Sequence, residues 1–432
     1  VARGLTLRPP ALLRRGEGTR VFLCFAAAYV LSYAFRSINA IIAPELVADL
    51  RLSNADLGLL SSAYFLTFAA MQLPVGIWLD RRGARRVEAA LLLVGAAGAV
   101  VFATATSIEA LWLGRALIGA GVSACLVAAY SSYRRWYPAA RQSQLSAWML
   151  VAGSAGALMT TLPAQAVLPW LGWRGLFWVM AGLLVACAAA LYVGLRRVER
   201  RGNRLGRDAR AGQARPLYGG ASAYGALFRH PAFLRVLPFG LVNQASFMAV
   251  QTLWAGPWMT DVLGFSLDAT AGVLFAFNIS LLAGYLLLGW LAPRQAGNAA
   301  DAARLVVIGA GLTLGLQAAI VGWASPAAWW LWPLLALSGS TLALILSTLS
   351  LSFPAEMAGR ANTTYNLLVF GGSFVVQWSL GVGIDAFRDM GLTQAHAFRA
   401  AFAVLLGLQL MGYLWFVLAP RLLAAQRRGT VR

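Results

Sequence analysis

Gly76-Ile77-Trp78-Leu79-Asp80-Arg81-Arg82-Gly83-Ala84-Arg85-Arg86 gathers four arginines and an aspartate into seven consecutive positions, between two long runs in which charge almost vanishes. The run before it, 57–79, and the run after it, 87–106, are each long enough to cross ~30 Å of hydrocarbon at 1.5 Å per residue. The stretch therefore reads as the tight connection of a membrane hairpin, held at the cytoplasmic surface by its arginines.

Working outward, the same pattern recurs along the chain. Apolar runs fall near 20–43, 57–79, 87–106, 109–133, 141–167 and 174–195, and again near 233–258, 269–291, 302–323, 328–352, 360–384 and 396–420. Arginine placement tests this count, because loops on alternate sides of a membrane should be alternately rich and poor in cations. All 35 basic residues are arginine; four (Arg51, Arg174, Arg388, Arg399) fall on one side, two (Arg36, Arg115) fall within spans, and the rest fall on the other side. Twelve spans with both termini cytoplasmic satisfy that asymmetry. Val1 to Arg20 is a basic tail without an apolar core of its own, so it reads as a cytoplasmic tail and not as a cleavable signal peptide.

Composition agrees. Of the 432 residues 60% are hydrophobic and 12% charged, a balance a soluble domain of this length does not show. The net charge of +20 follows from the cytoplasmic loops, which argues against nucleic acid as a partner and for membrane lipids. Cys24, Cys125 and Cys187 all lie inside apolar runs, so neither a disulfide framework nor a thiolate metal site is expected. No nucleophile–base constellation, metal-ligand spacing or phosphate loop is present, so the expectation is a protein without cofactor or metal that is not an enzyme.

The long polar connection lies at 196–230, rich in Arg and Gly. It divides the chain into an N-terminal half, 1–195, and a C-terminal half, 231–432. The halves echo one another: Gly289 to Arg294 repeats the spacing of Gly76 to Arg81, with Pro293 where Asp80 stands, and Pro138 to Arg141 and Pro354 to Arg360 open spans at matching positions. The chain thus reads as an internal duplication.

The pattern Gly-x-x-x-Asp-Arg-x-Gly-x-Arg-Arg between the second and third spans resembles the signature loop of the major facilitator superfamily. The resemblance implies an all-α membrane protein of twelve transmembrane helices in two pseudo-symmetric six-helix halves, working by alternating access. It implies a gating group of Gly76, Asp80, Arg81, Gly83 and Arg85, with Gly76 allowing tight helix contact and Gly83 a sharp turn. Asp80 would face the positive N-terminal end of a helix in the other half, latching the halves together on the cytoplasmic side with Arg81.

Arg36 and Arg115 are the two cations that no loop absorbs. A guanidinium at a helix centre costs ~2.5–3.5 kcal/mol on insertion scales, so each should face a cavity or a partner. Around Arg36, Tyr29, Ser32, Tyr33 and Asn39 recur at helical spacing, giving span one a polar face that lipid would not tolerate. Span seven carries Gln244, Phe247, Gln251, Trp254 and Trp258, and span eleven Asn366, Phe370, Ser373 and Gln377. Interhelical hydrogen bonding is the competing reading for each amide. For Arg115 a packing role competes, since Arg115-x-x-x-Gly119-x-Gly121 resembles a second superfamily motif on span four. The acids, Glu88 among them, map to loops on one side or the other, and none is placed at mid-depth. The cavity field should therefore be positive, which favours an anion.

Tyr33-Ala34-Phe35-Arg36 is similar to the Asn-Tyr-x-Asp-Arg element of organic-anion:cation symporters, with Phe35 in place of the acid. Met71 to Gly76 resembles the Arg-x-Pro-x-Gly element of nitrate/nitrite porters, with Gln72 in place of the arginine. The expectation is a bacterial inner-membrane transporter, monomeric, that moves a small organic anion, a carboxylate. Arg36, Arg115, Tyr33, Asn39, Gln251, Trp254, Asn366 and Gln377 are the expected substrate-binding residues. Two alternatives remain open: efflux of a hydrophobic or zwitterionic compound, with Trp254 and Trp258 as stacking surfaces, and a non-transporting membrane receptor or scaffold.

Overall fold

The computed structural model describes residues 13, 16–137, 139–201, 225, 227–295, 299–353 and 355–429. Most of the 196–230 connection, including every arginine from Arg204 to Arg215, lies outside the described residues.

The first span is α1, Glu17–Ser37, continued after a break at Ile38 by α2, Asn39–Leu50. The long α3, Asn54–Arg82, begins on a Ser53 side chain that accepts from the Asp56 amide while the Asp56 carboxylate accepts from the Ser53 amide, and it ends at Gly83. That glycine alone separates it from α4, Ala84–Ala103, with Arg81 and Arg82 on one side of the turn and Arg85 and Arg86 on the other. The fourth span comes in two pieces, α5, Ile108–Val122, and α6, Cys125–Trp136. The fifth is α7, Ala139–Met159, extended by the first turns of α8, Leu162–Gly194; within α8, Gly172 at φ 61 marks the passage into the sixth span.

The second half holds α9, Pro231–Val262, α10, Leu267–Gln295, α11, Ala299–Trp323, α12, Pro326–Ser352, α13, Ala355–Asp389, and α14, Gln394–Gly429. Eleven stretches among the described residues are long and apolar enough to cross a membrane, and the shorter apolar helix Gln144–Met159 supplies the fifth crossing. Among the described residues there is no strand. The twelve-span, all-α architecture read from the sequence is the one observed.

Two features position the site. First, α9 is irregular: three π-helical stretches, Gly240–Gln244, Val250–Trp254 and Trp258–Val262, interrupt it, and each widens the turn and re-aims side chains. Second, buried apolar side chains form two clusters. The larger runs through the N-terminal half and joins the C-terminal half through Trp254, Trp258, Phe277, Ile384 and Phe398; the smaller, built from Phe233, Val306, Ile345, Leu349, Tyr365 and Phe416, belongs to the C-terminal half alone. The halves thus share a core at the end opposite the 80–86 loop, here called the far end, and have separate cores at the loop end.

Candidate functional site

Between the halves lies a cavity of about 70 Å³. The N-terminal half contributes Tyr33, Arg36, Ser37 and Ser154; the C-terminal half contributes, from α9, Gln244, Phe247, Met248, Gln251 and Thr252, and from α10, Asn278 and Tyr285. Among the described residues Arg36 is the only charged one in its lining.

Arg36 sits in the last turn of α1, 8% exposed. Aromatic rings surround its guanidinium: Tyr33 at 4.5 Å, Phe370 at 5.3 Å, Phe68 at 5.4 Å and Tyr64 at 6.0 Å from the ring centroids. Such faces attract a cation and exclude water, but they do not neutralise it. Its Nε is buried without a hydrogen-bond partner, and among the described residues no carboxylate pairs with Arg36. A buried cation met by π-faces and the neutral Tyr64 hydroxyl is short of an anion.

Of the residues expected at the site, the structure brings Tyr33, Arg36 and Gln251 to one cavity. The others do not line it, and four of them are held in bonds elsewhere. Arg115, 1% exposed, donates from Nη1 to the Phe35 carbonyl at 2.8 Å. That carbonyl lies in the last turn of α1, where the break at Ile38 releases acceptors from the helical ladder, so the guanidinium serves as a C-terminal cap. Asn39 donates to Ser61 Oγ on α3 at 2.5 Å. Trp254 donates its indole N–H to the Gln377 carbonyl at 3.1 Å, and Gln377 Nε2 donates to Thr252 Oγ1 at 3.2 Å, which ties α9 to α13. Asn366 lies one turn before Phe370 on α13, half-buried.

The structure adds residues the sequence reading left out. Tyr64 and Phe68 come from α3, in a run that reads as plain membrane span; Tyr64 donates to the Ser32 carbonyl at 3.2 Å, which fixes its ring against Arg36. Asn278 and Tyr285 share one face of α10 at a spacing of seven, a periodicity visible in the sequence but carrying no charge to draw attention. Glu88 is a correction. Placed with the loop acids by sequence, it is 0% exposed on α4, and both its carboxylate oxygens are buried without a hydrogen-bond partner. The free thiols of Cys24, Cys125 and Cys187 lie within its electrostatic reach, and among the described residues no group of side chains could hold a metal ion.

The gating residues divide. Gly83 adopts φ 79, and a Cβ there would meet Glu199 Oε1 at 2.5 Å, so the turn needs glycine. Arg85, 6% exposed, pairs with that same Glu199 and donates to the Tyr192 carbonyl at 3.0 Å, pinning the loop to the end of α8 within its own half. Asp80 lies 3.6 Å from Arg135 of α6, also in the same half. Arg81 is exposed. Gly76 makes no tight helix contact here: a Cβ would find nothing within 4 Å.

Midway along the halves Phe68 packs on Phe370, and hydrogen bonds join the halves at the far end. The Asp385 carboxylate of α13 accepts from the first amides of α3, Asn54 N at 3.3 Å and Ala55 N at 2.7 Å, and from Asn54 Nδ2 at 2.7 Å. Next to it the backbones nearly touch: a Cβ on Gly381 would meet the Asn54 carbonyl at 2.2 Å, one on Gly58 the Gln377 carbonyl at 2.6 Å, and one on Gly256 the Ala40 carbonyl at 1.9 Å. Gln165 Nε2 donates to Asp268 at 3.3 Å at the same end. Within the N-terminal half the exposed Asp49 is paired with Arg174, whose hydrogen bond holds its carboxyl below the usual range.

A central cavity between two helical halves, reached by discontinuous helices and closed at one end by interdigitating glycines, defines a membrane transporter fold. The chain belongs to the Major Facilitator Superfamily, whose sequence pattern matches residues 25–377. Among individual relatives it is 29% identical over 302 residues to a Thermus thermophilus protein described as "Probable nitrate/nitrite antiporter NarK1", covering 65% of this chain and 64% of that one. It is 31% identical over 185 residues to the Escherichia coli "Membrane sensor protein UhpC", covering 40% and 38%, and 28% identical over 270 residues to a Streptomyces lividans "Chloramphenicol resistance protein", covering 62% and 65%. The chain thus spans less than two thirds of the length of each of these relatives. In fold it matches an inward-facing bacterial homologue of the human lysosomal transporter Spinster at a TM-score of 0.74, with 16% identity over 95% of this chain and 98% of that one. The nucleoside transporter NupG matches at 0.67, with 16% identity over 94% and 99%.

Proposed function

We propose that the protein is a secondary transporter of the bacterial inner membrane that carries a small organic anion, a carboxylate, by alternating access between its two halves. One observation carries the reading: among the described residues Arg36 is the sole charge facing the cavity between the halves, is buried, and lacks an acidic partner. An anion entering the cavity supplies the missing countercharge, and the surrounding rings keep water from competing for it. In this reading Tyr33 and Gln251 shape the cavity, and Arg115 holds the end of α1 on which Arg36 is mounted. Both termini and the 80–86 loop are cytoplasmic, the protein works as a monomer, and Gly76, Asp80, Arg81, Gly83 and Arg85 form the cytoplasmic gate.

The test is ligand-dependent stabilisation of the purified protein. Small carboxylates should raise the Tm of the wild type and of Arg36→Lys, and leave Arg36→Ala unchanged although it folds. Equal stabilisation of wild type and Arg36→Ala would remove the central role of Arg36. A second reading, efflux of a hydrophobic or zwitterionic compound, draws on the apolar wall of Phe247, Met248, Leu281 and Leu342 in the same cavity. It gains if neutral lipophiles compete for the site and carboxylates do not.

A further inference from the structure

The cavity wall facing the C-terminal half carries a polarity that can be followed atom by atom. On α10 the Asn278 Nδ2 donates to the backbone carbonyl of Leu274 at 2.8 Å. A backbone carbonyl can only accept, so the amide of Asn278 is oriented with its nitrogen on Leu274 and its Oδ1 turned away. That Oδ1 accepts from Gln251 Nε2 at 3.2 Å. An oxygen can only accept here, so Gln251 is oriented in turn: its nitrogen gives one of its two hydrogens to Asn278, and its Oε1 accepts no hydrogen bond among the described residues. Gln251 lies in the π-helical stretch Val250–Trp254, whose wider turn aims it into this wall.

The cavity therefore offers a cation from α1, and from α9 an acceptor that no protein donor satisfies. We infer that the substrate is a small hydroxy acid, with its carboxylate on Arg36 and its hydroxyl donating to Gln251 Oε1. The inference rests on the proposed role of Arg36 as the anion contact and adds the second contact point. Three considerations support the hydroxyl. A simple carboxylate or an inorganic oxyanion such as nitrate has only acceptors, so it would leave Gln251 Oε1 without a donor. An ammonium could donate, but the lining holds no carboxylate to receive a second cation beside Arg36. The volume of about 70 Å³ holds roughly five to seven water-sized groups, the size of a two- or three-carbon hydroxy acid.

The experiment is a titration of the purified full-length protein with lactate, propionate, 2-methoxypropionate, alanine and nitrate, followed by tryptophan fluorescence or calorimetry. Sites that hydrogen-bond a substrate hydroxyl reject the analogue without it, so the wild type should bind lactate at least about tenfold tighter than propionate. The methoxy compound keeps the oxygen and loses the donor, so it should bind no better than propionate, and nitrate and alanine should bind weakly. In Gln251→Leu the lactate preference should vanish while propionate affinity is retained. If the wild type binds propionate or the methoxy compound as well as lactate, or prefers nitrate, the role of Gln251 is overturned and the anion reading stands. If no anion binds, both fail. If alanine alone binds, the donor is an ammonium and the hydroxy-acid assignment is wrong. Should Gln251→Leu not fold, the wild-type comparison decides the matter by itself.

Discussion

The helices α3 and α13 run side by side between the halves, and their two ends differ. At the far end Gly58 and Gly381 bring backbone against backbone, and Asp385 accepts three hydrogen bonds at the α3 N-terminus, where the helix dipole is positive. At the loop end Gly76 faces open space, Asp80 reaches Arg135 in its own half, and the C-terminal half keeps an apolar cluster to itself. One helix pair is thus tightly closed at one end and loose at the other. The glycines show how this is built: backbone contact is possible only where no Cβ intervenes, so the position of glycine along a span sets where the halves can lock.

The largest effect should come from filling the tight end. Gly381→Leu places a side chain where even a Cβ would lie 2.2 Å from the Asn54 carbonyl, and neither backbone can yield without parting the helices. Overpacking of this kind costs ~1–3 kcal/mol or more. Spin labels on Ala48→Cys and Arg388→Cys, both at the far end, should show the halves separated; an unchanged distance distribution would mean that the glycine contact does not hold this end closed.

Asp385→Ala should act in the same direction with less force. It removes three hydrogen bonds to a carboxylate and frees amides that water at the membrane surface can partly satisfy, a loss of ~2 kcal/mol, or about a thirtyfold shift between closed and open far ends. The same label pair reads this out. An Asp385→Ala protein as closed as the wild type would assign the latch to the glycines alone.

How much of this the sequence disclosed follows from what each feature depends on. Spans announce themselves by apolar length, and the 80–86 loop by charge, so the twelve crossings could be read directly. Arg36 was legible because charge in a span is costly wherever it lies. Its surroundings were not: Tyr64 and Phe68 belong to another helix and look like ordinary span residues until the fold turns them toward Arg36. Asp385 lies 330 residues from Ala55 in the chain, and its sequence context is only that of an acid near a helix end. Glu88 reads as a loop acid because it follows four arginines closely, whereas the tight turn at Gly83 carries it at once into the bundle. Trp254 Nε1 and Gln377 Nε2 are donors that could have served a ligand, and pairing between α9 and α13 uses them instead.

Gly76→Ala tests the loose end. With nothing within 4 Å of its Cβ, alanine should be accepted in this conformation and should stabilise α3 by up to ~1 kcal/mol through helix propensity, read as a small rise in Tm. Under the proposed alternating cycle the loop end must close in turn, and then the methyl group should slow exchange of substrate in proteoliposomes while binding stays intact. Stability and turnover both unchanged would show that Gly76 is not part of the closing contact.

The smallest expected effect concerns a pair that lies at the far end without joining the halves. Asp49 and Arg174 link α2 to the start of the sixth span inside the N-terminal half, and the Arg174 hydrogen bond depresses the Asp49 carboxyl. A carboxyl whose folded pKa is lowered contributes stability that is present above its unfolded value, ~3.9, and is lost as pH falls through the folded value. Both partners are well exposed, so solvent screening leaves little of the interaction. Asp49→Asn should therefore match the wild type in Tm to within a degree or two at pH 7 and converge with it fully at strongly acidic pH, and it should leave the Ala48 to Arg388 label distance where it was. That contrast separates the two kinds of far-end acid: Asp385, which bridges the halves, should move the distance, and Asp49, which braces one half, should not. If Asp49→Asn opens the far end as Asp385→Ala does, closure depends on the rigidity of the N-terminal half as a whole rather than on the contacts between α3 and α13.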